Sequence, residues 1–164
     1  MKASLRVIST VLAALLLLGL LAGCGAGSGK TVPVADLAGA VSTALGKADS
    51  MAESDGTFLG LTGADADKLG EYRILINRYG ANIDEFGIFS SGDEKDSLSA
   101  QKIKALVENY LARRLDIWME EYMPEEKPKL ENAEVRVKGD YVMYCILSDA
   151  DKTTAFKAFE NALR

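Results

Sequence analysis

Apolar residues recur every three or four positions along several stretches of the 164-residue chain and alternate with polar ones along another. Leu37, Val41 and Leu45, with Ala38 and Ala44 beside them, predict a first helix over 34–45 that Gly46 ends. Residues 47–63 are rich in Gly, Ser, Asp and Ala and read as a loop with a small apolar patch, Phe58-Leu59-Gly60-Leu61. Leu69, Tyr72, Leu75 and Ile76 fall on one face of a second helix over 65–78, with a strand as the alternative for 64–79. The β-formers of I-D-E-F-G-I-F-S-S, between Gly80 and Gly92, predict a strand over 83–91, followed by an acidic loop at 92–97.

From Leu98 the longest helical period begins: Ile103, Val107, Tyr110, Leu111, Leu115, Trp118 and Tyr122. Pro124 stops it, because a proline inside a helix removes a hydrogen bond. A charged loop with Pro128 is expected at 125–130. Val135 and Val137 then alternate with Glu134, Arg136 and Lys138, as in a strand with one wet face. Gly139 suits a tight turn directly after it. Y-V-M-Y-C-I-L at 141–147 is apolar throughout, so both its faces are expected to be covered, as in the central strand of a sheet. Ser148 is placed to cap a last helix with Asp149 and Asp151 in its first turn and Ala155, Phe156, Phe159 and Leu163 along one side. The predicted order is α-α-β-α-β-β-α. It describes an α+β domain in which helices pack one face of a small, mainly antiparallel sheet of about three strands.

The N-terminal run has a different character. Lys2 and Arg6 precede an apolar stretch from Val7 to Leu21, the charged and apolar regions of a secretory signal. A bilayer span takes about 20 apolar residues, and this run is shorter and lacks a positive cluster behind it. Leu21-Ala22-Gly23-Cys24 resembles the lipobox of bacterial lipoproteins. That resemblance implies that the Cys24 thiol receives a diacylglyceryl group and that the chain is cut ahead of it. The expected organisation is a signal peptide at 1–23, an acylated cysteine and flexible tether at 24–33, and a single α+β domain at 34–164. Two acyl chains hold a protein stably where one binds marginally, which places the domain on the extracytoplasmic face of the cell membrane. A phosphate-binding loop ending in Gly29-Lys30-Thr31 is excluded: Cys24 stands where its first glycine belongs, no strand precedes it, and Pro33 interrupts the helix it would have to open.

Charge and composition narrow the function. The formal charge is −5, and −7 once Lys2 and Arg6 leave with the signal, so nucleic acid is not an expected partner. Without a single histidine, His-dependent triads and His-ligated zinc are excluded. Of the two cysteines, acylation of Cys24 leaves Cys145 without an intramolecular partner. In an apolar strand its thiol behaves as a small hydrophobe.

Asp65-x-Asp67-x-Leu69-Gly70 has the opening spacing of a calcium loop, but Leu69 and Ile76 stand where oxygen ligands belong; an acidic helix start accounts for it. Asp84, Glu85, Asp93, Glu94 and Asp96 form the densest acidic region, with Asp93, Glu94 and Asp96 the candidate metal or acid/base residues. Arg113 and Arg114 lie within helical reach of Glu108, Asp116, Glu120 and Glu121; surface ion pairing is expected, with anion contact as the alternative. Trp118, Tyr122, Tyr141 and Tyr144 either fill the core or line a ligand cleft.

Residues 113–163 resemble, as a unit, small lipoproteins of Gram-positive bacteria grouped as domain of unknown function 4358. Three motifs carry the likeness: the helix stop Tyr122-Met123-Pro124, the strand entry Leu130-Glu131-Asn132-Ala133 and the hairpin Gly139-Asp140-Tyr141. Upstream the chain departs from the family pattern, and Ile83-Asp84-Glu85-Phe86 is the nearest equivalent of its acidic strand. The resemblance implies a fold and a location and brings no activity. A lipid-anchored binding or accessory module with an envelope-protein or cell-wall partner and no cofactor is the leading expectation. The alternative is a small envelope hydrolase or metal-dependent enzyme using the acidic loop at 93–96.

Overall fold

In the computed structural model, which describes residues 31–92, 96–119, 121 and 123–164, the first helical period forms α1 (Val34–Ala44). Gly46 lies just beyond it with φ +64°, the left-handed conformation that ends helices and that glycine adopts without penalty. The segment expected to be a loop is partly regular. It contains β1 (Met51–Glu53) and α2 (Gly56–Thr62), which ends at Gly63 with φ +64°. Three and seven residues are too few to establish a period, and β1 is held by its partner strand, not by its own sequence.

The expected second helix is absent. A single 3₁₀ turn at Ala66–Lys68 precedes β2 (Tyr72–Asn77), and Gly70 between them has φ +70°; a Cβ there would sit 2.5 Å from the Ser90 carbonyl oxygen and 2.9 Å from the Gly92 nitrogen. Leu69, Tyr72, Leu75 and Ile76 fit a helical face, but Tyr72, Ile74 and Ile76 also share one face of a strand, and tertiary pairing selects that period. β3 (Glu85–Ser90) forms as expected.

The long helix, α3 (Ala100–Asp116), begins at a Ser99 cap and ends eight residues before Pro124. Trp118 therefore lies beyond the helix, and Tyr122 lies outside the described residues. The expected charged loop contains α4 (Lys127–Glu131), with Pro128 in its first turn, where its missing N–H is not needed. The hairpin β4 (Glu134–Lys138) and β5 (Tyr141–Ile146) turns at Gly139, φ +59°. The last helix is α5 (Asp149–Ala162), and the Ser148 side chain accepts from the Asp151 N–H at 3.2 Å.

The sheet has five strands, not three, in the order β1-β2-β3-β5-β4, every neighbouring pair antiparallel. Helices cover both faces, not one. α1 and α5 pack against Phe86, Ile88, Met143 and Cys145, and α2 and α3 against Phe89, Val142, Tyr144 and Ile146. β3 is the central strand. β5, second from the edge, is buried at every position, as its unbroken apolar sequence implies. Residues 32–164 form one compact unit.

Candidate functional site

The pleat of a strand sends successive side chains to opposite faces, so the adjacent acids Asp84 and Glu85, at the start of the central strand, point apart. Each is only 3% exposed. A buried carboxylate survives ionised only when cations and hydrogen-bond donors replace its water, and the two acids recruit different sets.

Glu85 is closed in by side chains of α3 and β5. Its Oε1 accepts from the Tyr110 hydroxyl at 2.7 Å and the Tyr144 hydroxyl at 2.5 Å, and its Oε2 pairs with the guanidinium of Arg114. Arg114 also donates to the Tyr110 oxygen at 3.0 Å. Gly87, two residues along β3, makes this possible: a Cβ there would sit 2.3 Å from the Tyr144 ring. Burial first, and the Glu85 charge second, push both phenols above their ordinary range, so they remain neutral donors. Burial alone would weaken the charged form of Arg114, but Glu85 and Tyr110 outweigh it and hold the guanidinium protonated.

Asp84 is bound by lysines from two other parts of the chain. Its Oδ1 accepts from Lys129 of α4 at 2.8 Å, and its Oδ2 pairs with Lys47, just beyond α1. Lys47 reaches on to Asp151 in the first turn of α5 at 2.8 Å, and Lys129 to Glu126 at 2.8 Å. Glu126 in turn accepts from the Ile83 N–H at 2.9 Å. Burial works to raise the Asp84 carboxyl, but the two ammonium groups prevail and hold it below its ordinary value. The two lysines, which burial would depress, are raised by their acids. Chemically, both acids have their oxygens occupied: these are anchoring networks that hold one end of the molecule rigid.

That end also carries an apolar rim. The last turn of α3 lies over Glu85, and beyond Tyr110 and Arg114 the chain exposes Leu115 (38%), Ile117 (61%) and Met119 (65%). Trp118 between them is half-buried, and its indole N–H has no partner among the described residues. The opposite end of the sheet holds the N-terminal segment. Tyr141, paired with Ser90, accepts from the Val32 N–H and donates to the Val32 carbonyl, both at 2.8 Å. Five residue steps along β3, from Glu85 to Ser90, separate the two ends, about 17 Å at strand rise.

The residues singled out from the sequence disperse. Arg114 turns inward to Glu85 instead of pairing along its helix, while Arg113 stays exposed and donates to the Leu61 carbonyl at 2.9 Å. Glu108 is taken by Lys104 at 2.6 Å. Asp96 is exposed and apart from the buried acids; Asp93, Glu94, Tyr122 and the lipobox Leu21, Ala22, Gly23 and Cys24 lie outside the described residues. Asp65 caps the 3₁₀ turn by accepting from the Asp67 N–H. Tyr141 and Tyr144 hold the structure together, and Cys145 is fully buried with its thiol pushed up by that burial. Nothing in the local pattern marks Lys47, Glu126, Lys129 and Asp151 as partners. The available signal is the acid pair itself, which opens an apolar strand and therefore demands cations. Among the described residues no group of acids and cysteines is arranged to hold a metal, and no helix is long and apolar enough to cross a membrane.

Residues 49–147 match the model of a protein family described as Domain of unknown function (DUF4358). The matched stretch starts ahead of β1 and runs through β5, so it includes the upstream strands and the whole sheet; α1 and α5, which cover one face, flank it. No curated protein and no solved structure matches the chain.

Proposed function

From the premise that the chain belongs to the DUF4358 family, we propose that it is a lipid-anchored envelope module that offers a partner the end of its sheet remote from the anchor. The observation that carries this reading is the placement of two features at opposite ends of β3: the Tyr141 clasp on Val32, and the exposed Leu115, Ile117 and Met119. Acylation of Cys24 behind Leu21, Ala22 and Gly23 would put seven residues, or eight backbone steps, between the lipid-bearing cysteine and Val32 of the clasp, a reach of at most about 28 Å. The domain then stands close to the extracytoplasmic membrane surface with its clasped end inward. Its apolar rim, seated on the Asp84 and Glu85 networks, faces outward to an envelope protein. Exposed apolar groups on a rigid base suit such a contact, because little side-chain freedom is lost on binding.

Two measurements test it. Cys24→Ala is expected to release the protein from the membrane fraction and to change its mobility; retention at unchanged mobility overturns the anchor. A photo-crosslinking residue at Ile117 or Met119, in intact cells, is expected to trap an envelope protein that one at Asp65 does not. Equal capture at both ends overturns the assignment of the contact face.

A further inference from the structure

The apolar rim at the end of α3 is interleaved with acids. Leu115, Ile117 and Met119 are exposed, and so are Asp116, Glu121 and Glu125, none of which forms an ion pair among the described residues. The chain leaves the helix in a turn, the Ile117 N–H donating to the Arg113 carbonyl at 3.1 Å and the Trp118 N–H to that of Leu115 at 3.2 Å. Trp118 packs half-buried against the core beneath α3, while Ile117 and Met119 on either side of it stay outside. The cations of the neighbourhood are committed elsewhere. Arg114 turns in to Glu85, Arg113 donates to the Leu61 carbonyl at 2.9 Å, Lys127 pairs with Glu131 at 3.6 Å, and Lys129 pairs with Asp84 and Glu126. Arg78, exposed at the tip between β2 and β3, lies beside Ser50 at the β1 edge of the sheet.

Apolar side chains among uncompensated acids set two conditions on what covers them. The first is apolar surface, against which methionine in particular adapts its shape. The second is positive charge, because a contact that expels water strengthens attraction and repulsion alike. An anionic lipid surface meets the first condition and fails the second. A second copy of this chain, docked by the same face across a twofold axis, would set acids against acids. A segment that carries apolar and basic residues together, as an amphipathic helix does along one side, meets both. We propose that the rim binds a basic amphipathic segment of the envelope protein, its apolar residues on Leu115, Ile117 and Met119 and its lysines or arginines on Asp116, Glu121 and Glu125. This rests on the reading of that end of the sheet as the contact face, and adds to it the chemistry of the partner.

Trp118 is the only tryptophan of the chain, so its fluorescence reads this face directly. The test uses the full chain in phosphatidylcholine vesicles and a synthetic peptide of leucine and lysine spaced as an amphipathic helix. Saturable binding with a shift of Trp118 emission to shorter wavelength is expected. A leucine–glutamate peptide of the same spacing and a peptide of lysine alone are expected to leave the emission unchanged. Two variants that alter only exposed side chains divide the contact: Asp116→Asn with Glu121→Gln and Glu125→Gln, and Ile117→Ser with Met119→Ser. Each should weaken binding by about tenfold or more, while Asp65→Asn with Asp67→Asn should not. Equal binding of the glutamate peptide, or full affinity in either rim variant, overturns the proposal. So does a shift of Trp118 on adding phosphatidylglycerol vesicles alone, which makes the face a membrane contact, or on raising the protein density alone, which makes it a contact between copies. If the lysine peptide fails while a crosslinker at Ile117 still traps an envelope protein, this proposal falls and the contact face stands; if the crosslinker fails as well, both fall.

Discussion

Asp84 and Glu85 are neighbours in sequence and equally buried, yet they are held in different ways. Glu85 is held by two phenols from buried positions on α3 and β5 and by the half-buried guanidinium of Arg114, with Gly87 left bare so that one ring can approach. Asp84 is held by two lysines on flexible stems, each shared with a second acid that retains some contact with water. The first arrangement has no substitute for any member. In the second, loss of one cation leaves another in place. The same ionised group, one residue apart, thus becomes a closed joint between sheet and helix on one face and an adaptable tie among three elements on the other.

Arg114→Met tests the closed joint most severely. It leaves Glu85 buried without its cation and should cost about 3–5 kcal/mol, read as a drop in denaturant midpoint. A loss under about 1 kcal/mol would mean that the phenols alone satisfy the carboxylate. Gly87→Ala comes next, since its methyl must displace the Tyr144 ring; about 1–3 kcal/mol is expected by thermal melting. If the variant melts like the parent, the close approach is not what glycine provides.

On the adaptable side, Lys129→Met should cost about 1 kcal/mol, well below Arg114→Met, because Lys47 remains on Asp84. Equal losses for the two variants would erase the distinction. The acid response adds a sign. Asp84 has its folded pKa held below the ordinary 3.8, so the unfolded chain takes up that proton first as pH falls. Its contribution is fully present above the unfolded value and is lost as pH drops through the folded one. Asp84→Asn should therefore flatten the stability profile below about pH 4; an unchanged slope there would show that other carboxylates carry it. The smallest effect belongs to the far end: Tyr141→Phe should cost about 0.5–1.5 kcal/mol while speeding hydrogen exchange at the Val32 amide. Protection left intact at Val32 would rule out the clasp.

Legibility in the sequence tracks locality. The helix at 34–45, the strand in 83–91, the wet-faced strand at 133–138, the buried strand at 141–147 and the Ser148 cap are each written within a few residues of themselves, and each is present. The segment at 65–78 is open to two periods, and the one that wins requires the antiparallel pairing of Tyr72–Asn77 with β3. Arg114 shows the same limit at the level of a side chain. Its neighbours three and four positions away, Tyr110, Leu111, Ile117 and Trp118, carry no carboxylate, and Glu85, 29 positions away in sequence, supplies one in a dry site. Asp84 and Glu85 are visible as acids and hidden as anchors, because their partners come from four different elements.

By itself the sequence determined the apolar periods, the caps and turns, the absence of histidine, and the apolar run from Val7 to Leu21 ahead of Cys24, since each is read directly along the chain. The tertiary structure decided the five-strand order, the covering of both sheet faces, the burial of Asp84 and Glu85, and the placement of Val32 and the Leu115, Ile117 and Met119 rim at opposite ends. Those depend on which distant segments exclude water together. Partners 25 to 59 residues apart leave no mark on the local pattern of either one.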